Sequence, residues 1–224
     1  MGLRGFLVSA KTAPDLPNRD FEGAAETHLG RVGRSKTCSA FVASILLATA
    51  VLGLGKDLPR FSLADTAGAA HSDAEFKGAE VVLFFITTDC PISNGYVPEM
   101  NRIAKEFGSR GVRFYGVMTD TSVPVADVRK HVKDFGYVFP VLLDPTQVLV
   151  KYTNADTNPE AAVIAPHGGT MYLGRIDNKV AGFGTQRPEA TQHDLRDAIQ
   201  ATLAGKTVAK AMTTPIGCSI VRVN

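Results

Sequence analysis

The run Val81-Val82-Leu83-Phe84-Phe85-Ile86-Thr87 is unbroken by charge, and Cys90-Pro91 follows three residues after it. A short continuous apolar run without alternation suits a strand covered on both faces. A strand of that kind belongs in a sheet flanked by helices, which points to α/β architectures. Pro91 fits the first turn of a helix, where its missing N–H costs nothing. Val97, Met100, Ile103, Ala104 and Phe107 then recur at helical spacing, with Gly108 and Gly111 bracketing the end. Pro98 falls inside that helix and is expected to kink or offset it.

The alternation continues downstream. Val112 to Met118 reads as a second strand. A helix is predicted from Pro124 to Phe135, with Val125, Val128, Val132 and Phe135 on its apolar face and Gly136 just beyond it. Phe139 to Leu143 is a third strand, closed by Asp144-Pro145, and a short helix is expected over Thr146 to Tyr152. Ala161–Ala165 and Thr170–Ile176, joined by Pro166-His167-Gly168-Gly169, form a hairpin. A last helix is predicted from Thr191 to Ala204, with Thr191 and Asp194 spaced as a capping box and Leu195, Ala198, Ile199 and Leu203 inward. Upstream, Lys56 to Gly78 is a lead-in with a short strand or hairpin near Phe61-Ser62-Leu63. The order is β-α-β-α-β, then a hairpin, then α. The first strands should pair in parallel through right-handed crossovers, and the hairpin should add an antiparallel edge.

The N-terminal segment reads differently. Arg31, Arg34 and Lys36 precede an apolar run from Ala40 to Leu54. Its length, about 15 residues, is that of a signal-peptide core and falls short of the ~20 residues of a spanning helix. Cleavage could follow Ala50 or Gly55, and an uncleaved anchor or a buried helix of the folded domain are the alternatives. The expected organisation is an extension with signal or anchor over 1–55, a domain over 56–210 and a tail over 211–224. The chain is expected to be exported, periplasmic or extracellular, where disulfides persist.

Composition narrows the function. Net charge is +2 with no basic stripe interleaved with aromatics, so nucleic acid is not an expected partner. Three cysteines are too few for a disulfide framework, but they suffice for one redox pair plus Cys38 in the N-terminal segment. No nucleophile elbow and no phosphate-binding glycine loop is present. Attention therefore falls on Cys90. A helix N-terminus offers unpaired amide donors and a positive dipole end, which favour the nucleophilic thiolate; the Asp89 carboxylate opposes this. An inert buried cysteine is the alternative, but the carboxyl end of a parallel strand is where open α/β sheets place their sites.

Thr87-Thr88-Asp89-Cys90-Pro91-Ile92-Ser93 after an apolar strand resembles the active-site segment of the thioredoxin superfamily. Within it, the segment is most similar to the redoxin group of alkyl hydroperoxide reductase/thiol-specific antioxidant (AhpC/TSA) proteins and their exported thiol-disulfide relatives. The resemblance covers roughly Leu58 to Ala204. It implies a thioredoxin-like fold: a central mixed sheet flanked by helices, closing on a β-hairpin and a helix. It implies Cys90 as nucleophile, Thr87 as the hydroxyl of a peroxiredoxin-like T-x-x-C motif, and Arg175 as the arginine near the cysteine. Asn158-Pro159 falls at the cis-proline loop, where Asn158, Pro159 and Pro91 would border a thiol substrate. Two departures stand out: Ser93 replaces the second cysteine of the thioredoxin motif, and Leu83 stands where peroxiredoxins have proline.

With Ser93 in place, a resolving thiol must come from elsewhere, and Cys218 in a flexible tail is the candidate; a free or structurally paired tail cysteine is the alternative. The function implied is an exported thiol-dependent oxidoreductase in which Cys90 attacks a peroxide or a protein disulfide. Cys218 or an external thiol reductant then resolves the product. No cofactor and no metal is expected, and the apolar N-terminal segment could tether the chain to a membrane. Two alternatives are a copper-binding or chaperone module using Cys90, Cys218 and a histidine, and a non-catalytic interaction domain. Arg175 could instead be a salt-bridged edge residue, His131 is expected to be solvated, and the Gly-rich loop from Gly174 to Pro188 could wall the site.

Overall fold

A computed structural model of the protein describes residues 57–223. The basic cluster and apolar run of the N-terminal segment, with Cys38, lie outside the described residues. In chain order the elements are β1 (Ser62–Ala64), β2 (Ala70–Ser72), α1 (Asp73–Phe76), β3 (Val81–Ile86), α2 (Pro91–Gly108), β4 (Arg113–Met118), α3 (Val125–Phe135) and β5 (Val141–Leu143). They continue with α4 (Val148–Thr153), β6 (Thr157–Asn158), β7 (Glu160–Ile164), β8 (Thr170–Gly174), β9 (Val180–Gly182), β10 (Thr185–Gln186), α5 (Asp194–Leu203) and β11 (Cys218–Ser219).

The central sheet has the order β5-β4-β3-β7-β8. β3, β4 and β5 are parallel, and β7 and β8 run antiparallel to them as the expected hairpin. β3 sits in the middle because it is apolar on both sides, and all six of its residues are fully buried. Val82, Phe84 and Ile86 face a core that includes Met100, Ile103 and Phe107 of α2 and Leu195 and Ile199 of α5. Val81, Leu83 and Phe85 face a second core with Leu149 and Val150 of α4 and Ile220 of the tail. Each such side chain contributes about 1.5–3 kcal/mol on burial. Side chains crowd Gly116 on β4: a Cβ there would lie 2.9 Å from a Val141 methyl.

Three local expectations are corrected. On α3, Val125 and Phe135 are exposed, while Val128 and His131 are buried. The helix turns this face inward because the His131 ring packs against Phe135 and Tyr137, at centroid distances of 4.4 and 5.9 Å. α5 begins at Asp194 with His193 as N-cap and no side-chain cap. Thr191 is tied instead to Asn178, whose Oδ1 accepts from the Thr191 amide at 2.8 Å. The segment after the last helix is not loose: β11 pairs antiparallel with β6, and Ile220 is buried.

Candidate active site

Cys90 is the N-cap of α2, in extended conformation, and its carbonyl accepts the helix's early amide of Asn94 at 3.0 Å. Pro91 occupies the first helical position, as its fixed φ suits. The Asn94 side chain ties the helix to the preceding loop by donating to the Thr88 carbonyl at 2.9 Å, and the Thr88 hydroxyl donates to Asp89 at the same distance.

Across from the thiol stands the Asn158–Pro159 peptide, which is cis. The Cys90 thiol lies 3.3 Å from the Asn158 carbonyl and donates to it. The neighbourhood is fixed from two sides. The Thr119 hydroxyl, at the end of β4, donates to Asn158 Oδ1 at 2.9 Å. The Glu160 carboxylate accepts the amides of Asp156 and Thr157 at 2.8 and 3.2 Å, although burial pushes its acidity toward the protonated form.

The third wall is the tail. β11 sets Cys218 opposite Asn158 and Ser219 opposite Thr157, and the Ile220 amide donates to the Asp156 carbonyl at 2.8 Å. The Gln147 side chain, fully buried, clamps the far end by donating to the Val221 carbonyl at 2.7 Å and accepting the Val223 amide at 3.0 Å. This register brings the Cys218 and Cys90 sulfurs within 2.6 Å of each other, both as free thiols. The Cys218 thiol is pushed up to about 11, chiefly because it donates to Cys90, then by burial and by charge on Cys90.

Cys90 is 1% exposed. Its sulfur stands against the Asn158 carbonyl and the Cys218 sulfur of the docked tail. A cleft of about 350 Å³ remains beside the sulfurs, lined among others by Thr87, Asp89, Thr119, Ser122, Asn158 and Val221. One turn into α2, Ser93 occupies the place of a second motif cysteine; it is fully buried, and its hydroxyl has no hydrogen-bond partner among the described residues.

The structure thus brings together Cys90, Cys218, Thr87, Pro91, Asn158 and Pro159. It does not bring Arg175 to them. That guanidinium is held by Asp194 of α5 at 2.7 Å and by Gln192, and it lines no part of the cleft. The following loop packs on the flank of α2, where Asp177 accepts from Tyr96 at 2.7 Å, and it does not wall the site. Among the described residues no cluster of three or more histidine, cysteine or acidic side chains is placed to hold a metal. Sequence reading missed Thr119, Gln147 and Gly217. The last immediately precedes Cys218, and a Cβ there would lie 2.0 Å from the Asn158 carbonyl oxygen.

A cysteine at a strand-to-helix turn facing an Asn-Pro peptide lies inside the segment 54–171 that matches the AhpC/TSA family model. The chain belongs to the AhpC/TSA family. Arg175 and Cys218 lie beyond the matched segment. Over 124 residues the chain is 36% identical to the thiol-disulfide oxidoreductase ResA of Bacillus subtilis (strain 168), covering 52% of this chain and 68% of that protein. Across the first three curated relatives the chain spans 58–68% of their length. Among solved structures, a hypothetical protein of Sinorhizobium meliloti 1021 superposes with a TM-score of 0.66 at 26% identity, over 75% of this chain and 94% of that one. A Chlorobium tepidum chain described as a candidate thiol:disulfide interchange protein DsbE superposes with a TM-score of 0.53 at 21% identity, over 66% of this chain and 96% of that one, and shows the shared fold. Family membership and the named oxidoreductase relatives support a thiol-dependent redox function and thiol-disulfide oxidoreductase activity for this AhpC/TSA chain.

Proposed function

We propose that the chain is an exported thiol-disulfide exchange enzyme acting on protein disulfides, with Cys90 as nucleophile and Cys218 as resolving thiol. The observation that carries this reading is the pair of sulfurs 2.6 Å apart beside a peptide edge able to bind extended chain. In the first step Cys90 thiolate attacks one sulfur of a substrate disulfide. That bond breaks, one substrate thiolate leaves and takes up a proton, and a mixed disulfide forms on Cys90. Cys218, as thiolate, then attacks the Cys90 sulfur and releases the second substrate thiol. The substrate gains two electrons, the protein keeps a Cys90–Cys218 disulfide, and an external thiol reductant of the dithiol class restores it.

Thr87 borders the cleft and offers a hydroxyl to the departing sulfur, Pro91 presets the helix start, and Asn158-Pro159 shapes the groove. A peroxide is the less favoured oxidant, because Arg175 is engaged elsewhere. The basic cluster and apolar run before Gly55 support export and a membrane tether. Among the described residues no helix is long and apolar enough to cross a membrane.

Reduced full-length protein mixed with a peptide disulfide should lose two thiols per chain and show the Cys90–Cys218 bond by mass spectrometry. Cys218→Ser should stop at the mixed disulfide, and Cys90→Ser should fall to the uncatalysed rate. Undiminished exchange by the Cys90→Ser protein would remove Cys90 from this role.

A further inference from the structure

The tail does more than carry a thiol. Its backbone pairs with Thr157 and Asn158, the edge an extended substrate would have to use to lay a cysteine beside Cys90. Three features make the fit selective. Gly217 passes so close that a Cβ would stand 2.0 Å from the Asn158 oxygen and 2.7 Å from its carbon. Ile220, two residues after the cysteine, is buried in the core with Leu149 and Val150. Gln147 then holds the backbone at Val221 and Val223 without reading their side chains.

Resting on the exchange reading above, we propose that the tail and the substrate share one binding site. The site takes an extended polypeptide with glycine immediately before the reactive cysteine and an aliphatic residue two positions after it. The protein's own tail is the resident occupant, so an external peptide enters only when the tail leaves. This assigns the substrate's chemistry from the segment that already fits. It also accounts for a nucleophile 1% exposed in a protein that must meet other chains.

The test uses full-length Cys218→Ser, in which the tail stays docked without its thiol, alongside the same protein carrying either Gly217→Ala or Ile220→Ser to release the tail. The probe is the peptide Ile-Gly-Cys-Ser-Ile-Val with its cysteine held as a mixed disulfide with thionitrobenzoate. Cys90 thiolate attacks the peptide sulfur, thionitrobenzoate leaves with the bond's electron pair, and its absorbance gives the rate. Both released variants should react at least about tenfold faster than Cys218→Ser. In them, replacing the peptide's glycine by alanine should slow the reaction about tenfold, while releasing the tail should speed a small aromatic disulfide less than it speeds the peptide. Equal peptide rates with docked and released tails, or indifference to the glycine, overturn the shared site while leaving exchange at Cys90 intact. A Cys90 that reacts with neither peptide nor small disulfide in any of these proteins overturns the exchange reading itself.

Discussion

At the scale of single residues, the site turns on the contact between Cys218 and Cys90. Cys218 is held up to about 11 by its bond to Cys90 and by charge there, with burial contributing. Both Cys90 contributions vanish once the Cys90 sulfur is tied up in a mixed disulfide. In the exchange mechanism we propose, Cys218 is thus restrained while Cys90 is free and released once Cys90 is engaged. Alkylation of Cys218 followed against pH should inflect near 11 in the reduced protein and move down toward the ordinary thiol range in Cys90→Ser. An unmoved inflection would show that burial alone raises it. Cys90 and Asn158-Pro159 were legible in the sequence because each rests on a local pattern, a strand end or an X-Pro peptide. Arg175 was misplaced because its partner Asp194 lies 19 residues further on, and pairing at that separation has no local signature. Gln147 was invisible for a related reason: it acts on backbone groups 74 and 76 residues away.

At the scale of elements, the periodic signals located the main strands and helices but not every exposed face. Continuous apolarity identified β3, and helical spacing identified α2. On α3 the same spacing put Val125 and Phe135 inward, whereas a histidine ring is buried there through aromatic contacts that hydropathy does not count. β11 was read as flexible tail, since a two-residue strand carries no alternation, and only its pairing with β6 defines it. Its hold depends on Ile220. Ile220→Ala should weaken docking by about 2–5 kcal/mol. Hydrogen exchange at the Ile220 and Val223 amides should then quicken by roughly 30-fold or more, with the β3 amides unchanged. Acceleration spread evenly over the whole sheet would mean that the tail is part of the global unfolding unit.

At the scale of the whole molecule, two histidines set opposing pH dependences. Burial holds His131 below its ordinary 6.5, so the unfolded chain takes the proton more readily. Stability is lost as pH falls from 6.5 toward the lower folded value. His71 behaves in the opposite sense. Burial works against its charge, but Glu75 and Asp65 at 2.9 and 3.2 Å prevail and raise it. Its contribution is full below 6.5 and is lost as pH rises through the folded value. Thermal melts of His131→Phe should therefore gain on the parent protein between pH 7 and pH 5, and melts of His71→Gln should lose ground over the same interval. Parallel behaviour of the two variants would contradict the assignment.

The two sulfurs stand 128 residues apart along the chain, although the fold places them side by side. Joining them would close a ring that takes in every element from α2 to β11. For a ring of that size, loop-closure entropy in the unfolded chain is about 5 kcal/mol. By the thermodynamic cycle, the folded frame favours the bond over the unfolded chain by the same amount, roughly several thousandfold in equilibrium constant. A bridge between neighbouring cysteines would draw little on the architecture around it. Here the willingness to hold or surrender an electron pair is bound to the domain being folded, so a substitution that destabilises it far enough to populate the unfolded chain would also make the oxidised protein easier to reduce.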